Sequence, residues 1–270
     1  MEYSLISNSE DLFDSGYNLS SLKYLRLYVL TEMRVIWNGP IQVENFQNLT
    51  QLVVAHCGKL RYIFTVTMAQ NLPQLSALQI DSCVELEQII DKDQTSSQDH
   101  LQPICFPNLT YINIWKCGSL KCVFPVTVIH GGLPRLKELN LGDLSKLEEV
   151  FEGEDSNDEE EVIRLPQFNH LKLIGLPNCA SLSPVGYHFV SPSLKEIRVG
   201  GCPNITTSFS VDSKQSVHAK TQRSQSVDKI RVDESASQTV DEITVEESAS
   251  AQETTWPLGS DIEWQKREGR

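Results

Sequence analysis

One spacing of apolar residues recurs along most of the chain and constrains its fold more than any other feature. Within residues 133–151, apolar side chains stand at offsets 0, 3, 6, 8, 11, 14, 17 and 18. The same frame occurs seven times in all. The second apolar position of each copy falls at Leu22, Leu49, Leu75, Leu109, Leu136, Phe168 and Leu194. Such a repeat predicts a solenoid, because one coil cannot bury its apolar side whereas stacked coils share a continuous core.

The frame also predicts the structure of each coil. Offsets 6 and 8, as in Leu139 and Leu141, alternate with other residues and indicate a short strand with both apolar side chains on one face. The later positions, three residues apart, indicate an irregular or 3₁₀-like return segment. Four of the six spacings between copies are 26 or 27 residues, within the roughly 20–29 residues typical of leucine-rich repeats. We therefore predict an α/β-type solenoid, a leucine-rich-repeat horseshoe of about seven coils with a concave parallel β-sheet.

Departures from the frame set the expected domain boundaries. Residues 1–18 predict a partial N-terminal repeat, and a chain that begins in mid-repeat favours the C-terminal part of a longer protein. The solenoid is expected over residues 19–206, with polar insertions at about 91–105 and 152–164. Residues 207–270 are rich in Ser, Thr, Gln, Glu and Asp. This composition buries too little apolar area to offset the entropy of ordering, so it predicts a low-complexity, disordered tail.

The net charge of −13 comes from two acidic regions and argues against a nucleic-acid partner. Residues 148–161 carry nine carboxylates and no lysine or arginine, and residues 207–270 carry twelve acids against eight bases. We therefore expect no long basic surface and no nucleic-acid ligand. Apolar runs are too short for a membrane span of about 18 residues, and the N-terminal residues lack a secretory signal. These features favour a cytosolic or nuclear protein, or a fragment of a longer one, and we expect a cytoplasmic location without a membrane span.

Seven cysteines raise the question of a metal site. Four of them share offset 11: Cys57, Cys83, Cys117 and Cys202. Other coils place leucine at this offset, so we predict buried core thiols, and the spacing does not match a zinc site. Cys105 and Cys122 lie outside this column and are expected to be the exposed thiols. The sequence carries no phosphate-loop, zinc-protease or nucleophile-elbow motif, so we expect no catalytic residue, no cofactor, no metal ligand and no enzymatic activity.

The outward face of the predicted strands is what remains for function. Its side chains alternate with the core residues and are free to bind another protein. The candidate protein-binding residues are Tyr24, Arg26, Tyr28, Gln51, Val53, Gln79, Asp81, Tyr111, Asn113, Trp115, Glu138, Asn140, His170 and Lys172. Tyr111 and Trp115 are the expected centre, because exposed aromatic side chains are enriched at protein interfaces. The alternative is that Trp115 leans along the sheet and packs on its neighbours.

Several phrases resemble one known family. They are FQNLTQL at 46–52, CVELEQII at 83–90 and LEEVF at 147–151. These phrases are similar to the C-terminal leucine-rich repeats of plant coiled-coil nucleotide-binding disease-resistance proteins, and the resemblance covers roughly residues 1–206. It implies intracellular recognition of a pathogen effector, or of a host protein that the effector alters. It also implies contact with a nucleotide-binding switch domain, which this sequence lacks.

Other classes stay open from the residues alone. A generic leucine-rich-repeat scaffold needs nothing beyond the frame. A substrate receptor of a ubiquitin ligase would need an F-box helical bundle upstream, and no amphipathic helical segment precedes Leu19. A truncated, non-signalling gene product is the remaining alternative.

Overall fold

A computed structural model describes residues 2–5, 20–36, 46–91, 104–155, 161–221 and 242–246. The elements in chain order are β1 (Glu2–Leu5), β2 (Tyr24–Tyr28), β3 (Gln51–Ala55), β4 (Tyr62–Phe64), α1 (Val66–Gln70), β5 (Ala77–Asp81), β6 (Gln88–Ile90), β7 (Tyr111–Trp115), β8 (Phe124–Pro125), α2 (Val126–Gly132), β9 (Glu138–Gly142), β10 (Phe151–Glu152), β11 (Glu161–Arg164), β12 (His170–Ile174), β13 (Tyr187–Ser191), β14 (Glu196–Gly200), β15 (Thr207–Val211), β16 (Val217–Thr221) and β17 (Glu242–Glu246). Within the described residues, no helix is long and apolar enough to cross a membrane.

Nine of these strands form one parallel sheet, the concave sheet of the solenoid. Their order is β1-β2-β3-β5-β7-β9-β12-β14-β17. Seven strands, β2 to β14 in that order, fall at the predicted offsets, and residues of equal offset lie side by side. Leu139, for example, pairs with Ile112 on one neighbour and Leu171 on the other. The predicted solenoid with a parallel sheet is confirmed.

The core lies beneath this sheet as stacked rows of equivalent residues. Leu139 and Leu141 are 1% and 0% exposed, as the alternation predicts. Aromatic rings stack on the return side, where the Phe106 ring centroid lies 5.9 Å from that of Phe64 and 5.7 Å from that of Phe124. Each coil therefore covers the apolar side of the next, which is why no single coil needs a core of its own.

The return side is more regular than the predicted irregular segment. Strands β4 and β6 pair in parallel, as do β8 and β10. Two short helices, α1 and α2, follow β4 and β8. In α1 the side chain of Thr65 accepts a hydrogen bond from the backbone N–H of Met68, at 3.2 Å, and this caps the helix. Successive coils lie close enough on this side for short ladders to form.

Within the described ranges, the residues that directly follow the concave strands share one unusual conformation. Seven of these residues have a positive φ: Val29, His56, Ser82, Lys116, Asp143, Gly175 and Gly201, with φ between 53° and 65°. Six of them, Val29 to Gly175, donate the backbone N–H to the carbonyl that ends the next strand, over 2.8–3.0 Å. The left-handed turn therefore continues the ladder of the sheet past the strand ends while reversing the chain direction.

The segment expected to be a tail begins with structured residues, which corrects the boundary at 206. Strands β15 and β16 form an antiparallel hairpin, and β16 pairs with β13. Phe209, Val217 and Ala219 are buried in the core cluster. In the sequence, the polar residues between them obscure their alternating spacing. In the structure, these side chains cover the apolar end of the last coil. The rest of the expected tail lies outside the described residues, except β17, which pairs with β14.

The two polar insertions are described in part. Residues 92–103 and 156–160 lie outside the described residues. The second insertion ends in β11, which pairs in parallel with β13 and so joins the sheet of the C-terminal hairpin, in the order β11-β13-β16-β15. A strand was not expected there. Ile163 within it is 1% exposed and anchors it to the core.

The cysteine column is buried as predicted. Cys57, Cys83 and Cys117 are each 0% exposed, and Cys202 is 7% exposed. The thiol of each donates to the carbonyl two residues earlier, over 3.3–3.5 Å. The expectation for Cys122 is wrong, because its side chain is 6% exposed and its thiol donates to a carboxylate oxygen of Glu152 at 2.9 Å.

Candidate protein-binding face

The register of the concave sheet gathers the candidate residues into three rows. The first row contains Tyr24, Gln51, Ala77, Tyr111, Glu138, His170 and Glu196. The second contains Arg26, Val53, Gln79, Asn113, Asn140, Lys172 and Arg198. The third contains Tyr28, Ala55, Asp81, Trp115, Gly142, Ile174 and Gly200. All fourteen candidates therefore lie on one face, opposite the core, which we call the concave face.

This face is more tightly packed than its polar composition suggests. Tyr24 is 37% exposed, but most of the candidates are half-buried. Asn113 is only 5% exposed, although it lies in the middle row. Neighbouring side chains cover one another because strands in a sheet lie only about 4.8 Å apart. A ligand would therefore meet a preformed surface of contacting side chains.

Trp115 lies across the neighbouring strand. A Cβ atom built on Gly142 would overlap the indole, with its Cδ2 only 2.6 Å away. The indole N–H donates to Oδ1 of Asn113 at 3.0 Å, which fixes the ring orientation. The ring thus packs on the sheet, as the alternative in the sequence analysis held, and yet Trp115 as a whole is half-buried. Glycine at position 142 makes room for it.

Charged groups cluster on β12 and β14. Nε2 of His170 lies 3.6 Å from a carboxylate oxygen of Glu196. The same carboxylate also pairs with the guanidinium of Arg198. At the other side of the ring, Nδ1 of His170 lies 2.6 Å from Oδ1 of Asn169. This part of the concave face is a connected network of polar side chains.

Tyr111 is held in its neutral form at the centre of the first row. Burial raises the pKa of its phenol, a hydrogen bond with Asn140 opposes this effect, and the nearby charge of Glu138 adds to it. A neutral phenol can both donate and accept a hydrogen bond. Tyr111 therefore offers a polar tip on an apolar ring, a combination suited to protein contacts.

The concave face combines aromatic rings, amides and charged side chains. Within the described ranges, no group of three or more His, Cys, Asp or Glu side chains could hold a metal ion. At the strand ends, Nε2 of the exposed His56 lies 3.9 Å from a carboxylate oxygen of the half-buried Asp81. Aromatic rings, amides and paired charges offer hydrogen bonds and apolar contact to another protein.

The left-handed conformation of the residues that follow the concave strands was not predicted. These residues include His56, Ser82 and Lys116, whose positive φ directs the chain away from the sheet. One signal was present in the sequence, since Gly175 and Gly201 occupy the same offset in two later coils. Glycine favours a positive φ, and its recurrence at one offset marks the turn.

Comparison with known proteins agrees with this architecture. The family model for plant disease resistance protein RPS2-like leucine-rich repeats matches residues 4–84 and 85–221. Its second match includes the C-terminal hairpin. No curated protein and no solved structure matches the chain significantly. With its repeat frame, its parallel concave sheet and this match over most of its length, the chain belongs to the RPS2-like leucine-rich-repeat family of plant disease resistance proteins.

Proposed function

We propose that the chain is the protein-recognition module of a plant intracellular immune receptor. Its concave face would bind a pathogen effector, or a host protein that an effector alters. The observation that carries the proposal is the alignment of fourteen outward candidates in three rows of one sheet, within a chain of the disease-resistance family. Stacked strands give such a solenoid an extended surface that has no role in its own core.

The composition of the face supports a protein ligand. Aromatic residues such as Tyr111 and Trp115 provide apolar area, and the network around Glu196 provides separated charges of both signs. A face of this kind suits a polar, specific contact between proteins. A nucleic acid would need a continuous basic surface instead.

The proposal includes the setting of the module. In a full receptor a cytoplasmic location would give it access to effectors inside the cell, and a nucleotide-binding switch domain would read out its occupancy. The module itself would be non-enzymatic, and it would act by coupling the binding of its ligand to the state of that domain.

Proximity labelling in leaf tissue tests this function. The chain, fused to a labelling enzyme, is compared with Trp115→Ala and with Glu148→Ala, which alters an exposed residue on the return side. We expect a set of proteins that the unaltered chain and Glu148→Ala label and Trp115→Ala does not. Identical labelling by all three chains, with equal expression, would contradict a concave-face binding site.

A further inference from the structure

One lysine of the concave face contacts a tryptophan ring and no carboxylate. Nζ of Lys172 lies 5.1 Å from the centroid of the Trp115 ring, within the reach of a cation–π contact. Among the described residues, Arg198 forms a salt bridge with Glu196, and Nε2 of His170 and of His56 lie 3.6 Å and 3.9 Å from a carboxylate oxygen, but no such contact involves Lys172. Within the same part of the chain, Lys172 therefore has no anionic partner.

Acidic side chains are nevertheless close in the register. Strand β12, which carries Lys172, lies between β9 and β14, and these present Glu138 and Glu196 in the adjacent row. Glu196 is already paired with Arg198 and His170. The ammonium of Lys172 thus lies over the indole, where it can pair with an anionic group of a ligand.

An apolar surface adjoins the ammonium. The Trp115 indole covers Gly142, and the next residue in that row is Ile174, which is half-buried. Ile174 is two residues from Lys172 on the same strand, so both side chains lie on the concave face. A ligand reaching Lys172 therefore also meets the ring and the isoleucine.

The nearby carboxylate of Glu138 limits the charge of an anion that binds here. A polyanion, such as nucleic acid or a run of acidic residues, would be repelled by Glu138 on the neighbouring strand, whereas Glu196 is compensated by Arg198. A single carboxylate meets less of this repulsion and can accept hydrogen bonds from the ammonium. Its neighbour in the ligand must be apolar to cover Trp115 and Ile174.

We propose that Trp115, Ile174 and Lys172 bind one aspartate or glutamate side chain that is flanked by an apolar residue in an exposed segment of the partner protein. This inference rests on the proposed function of the concave face and names the chemistry of its ligand. The carboxylate pairs with Lys172, and the apolar neighbour packs on the indole and on Ile174.

Selection from a random library of 12-residue peptides displayed on phage tests the proposal. The immobilised full chain is compared with Lys172→Glu, and with Lys146→Glu as a control that makes the same charge change at an exposed turn. We expect the full chain and the control to select peptides in which one acidic residue adjoins an apolar one. Lys172→Glu should weaken the binding of these peptides by roughly tenfold or more, because a charge pair is lost and replaced by repulsion. In selection, this variant should favour peptides with lysine or arginine in place of the acidic residue.

Two results overturn the proposal in distinguishable ways. Selected peptides that lose binding in Trp115→Ala, but lack the acidic residue and bind Lys172→Glu equally well, contradict the ligand chemistry and leave the concave face as the binding site. Selection that yields no peptide dependent on either Lys172 or Trp115 contradicts the proposed function as well. Thermal melts of each variant establish that the fold is intact.

Discussion

At the scale of single residues, the turns that follow the seven strands from β2 to β14 in the concave sheet share a backbone conformation but differ in side chain. Gly175 and Gly201 adopt the positive φ without steric cost, whereas Val29 adopts it with a β-branched side chain at φ 57°. Left-handed conformations cost a non-glycine residue about 1–2 kcal/mol, and asparagine tolerates them better. Because the N–H of Val29 still donates to Ala55 over 3.0 Å, the sheet ladder holds this conformation in place.

We predict opposite effects from two substitutions in this turn. Val29→Asn should raise the free energy of unfolding by about 1 kcal/mol, since it relieves a β-branched residue at positive φ. Gly175→Ala should lower it by about 1–2 kcal/mol, because φ is +65°. The added Cβ would also lie 2.7 Å from Oδ1 of Asp143. Urea unfolding measures both, and a loss of stability in Val29→Asn would show that the turn is not strained.

The column of thiols makes a second prediction at this scale. Hydrogen bonding with Cys83 and burial raise the pKa of Cys57, and burial raises the pKa of Cys179, a buried thiol outside the column, to about 12. Thiolate is the reactive form of cysteine, so these side chains should be inert in the folded protein. Cys105 is partly exposed. We therefore expect one thiol to react quickly with Ellman's reagent under native conditions and all seven to react in denaturant.

The matched control is Cys105→Ser, which should abolish the fast reaction and lower by one the number of thiols that react in denaturant. Fast reaction of several thiols in the native chain would mean that the column opens to solvent. That outcome would also weaken the case that these cysteines are core residues rather than potential metal ligands.

At the scale of the strand, alternation of burial is the main structural claim. Leu139→Ala and Leu141→Ala should each destabilise the fold by about 2–5 kcal/mol, because truncation leaves a cavity in the core. Glu138→Ala and Asn140→Ala, which alter half-buried outward positions, should change stability by about 1 kcal/mol or less. Chemical denaturation of the four variants measures the contrast. Similar losses at all four positions would contradict the strand assignment.

The seven predicted strands could be derived from the sequence, because the offsets 6 and 8 recur with leucine or another aliphatic residue at nearly every copy. The same offsets also predict the outward candidates, because these residues lie between and on either side of the two buried strand positions. The short strands β4, β6, β8 and β10 were not predicted. They form where coils contact one another on the return side. Segments of two or three residues are too short to show a strand pattern in the sequence.

The C-terminal hairpin gives a pH-dependent prediction. Asp212 at its turn accepts hydrogen bonds from the backbone N–H of Ser216 at 2.8 Å and of Lys214 at 2.9 Å, and it lies 3.1 Å from Nε2 of His218. These interactions, that from Ser216 being the largest, lower the pKa of Asp212 below its usual value of 3.8. Its contribution to stability is therefore present above pH 3.8 and is lost as the pH falls through the lowered pKa.

Asp212→Asn removes the charge and keeps one acceptor oxygen. We expect its melting temperature to lie below that of the unaltered chain at pH 7, and the difference to shrink as the pH is lowered past the usual range for aspartate. Melts recorded along a pH series measure this. A difference that is constant across the series would mean that the ionised carboxylate does not stabilise the hairpin.

At the scale of the whole molecule, two features depend on distant residues, and the sequence missed the first and offered the second only as an alternative. Composition assigned residues 207–221 to a tail, yet Phe209 and Ala219 close the end of the core. In a solenoid the last coil exposes an apolar side, and a polar segment with a few aligned apolar residues can cover it. The packing of Trp115 onto Gly142 likewise depends on a residue 27 positions away in the neighbouring coil.

The same architecture separates the concave face from the acidic side chains of the return side. Glu148 and Glu152 belong to the return side near β10, whereas the three rows of the concave face carry charges of both signs. A ligand attracted to the acidic segment would therefore dock on a different surface from one bound by Trp115. Substitutions on the two sides distinguish these possibilities.

Calorimetric titration of a partner identified by proximity labelling tests the central claim most directly. An aromatic anchor at the centre of an interface contributes at least about 2 kcal/mol. Trp115→Ala should therefore raise the dissociation constant by roughly thirtyfold, while Glu148→Ala leaves it unchanged. Thermal melts establish that both variants are folded at the temperature of the titration. Equal dissociation constants for all three chains, or a loss of binding only in Glu148→Ala, would contradict recognition by the concave face.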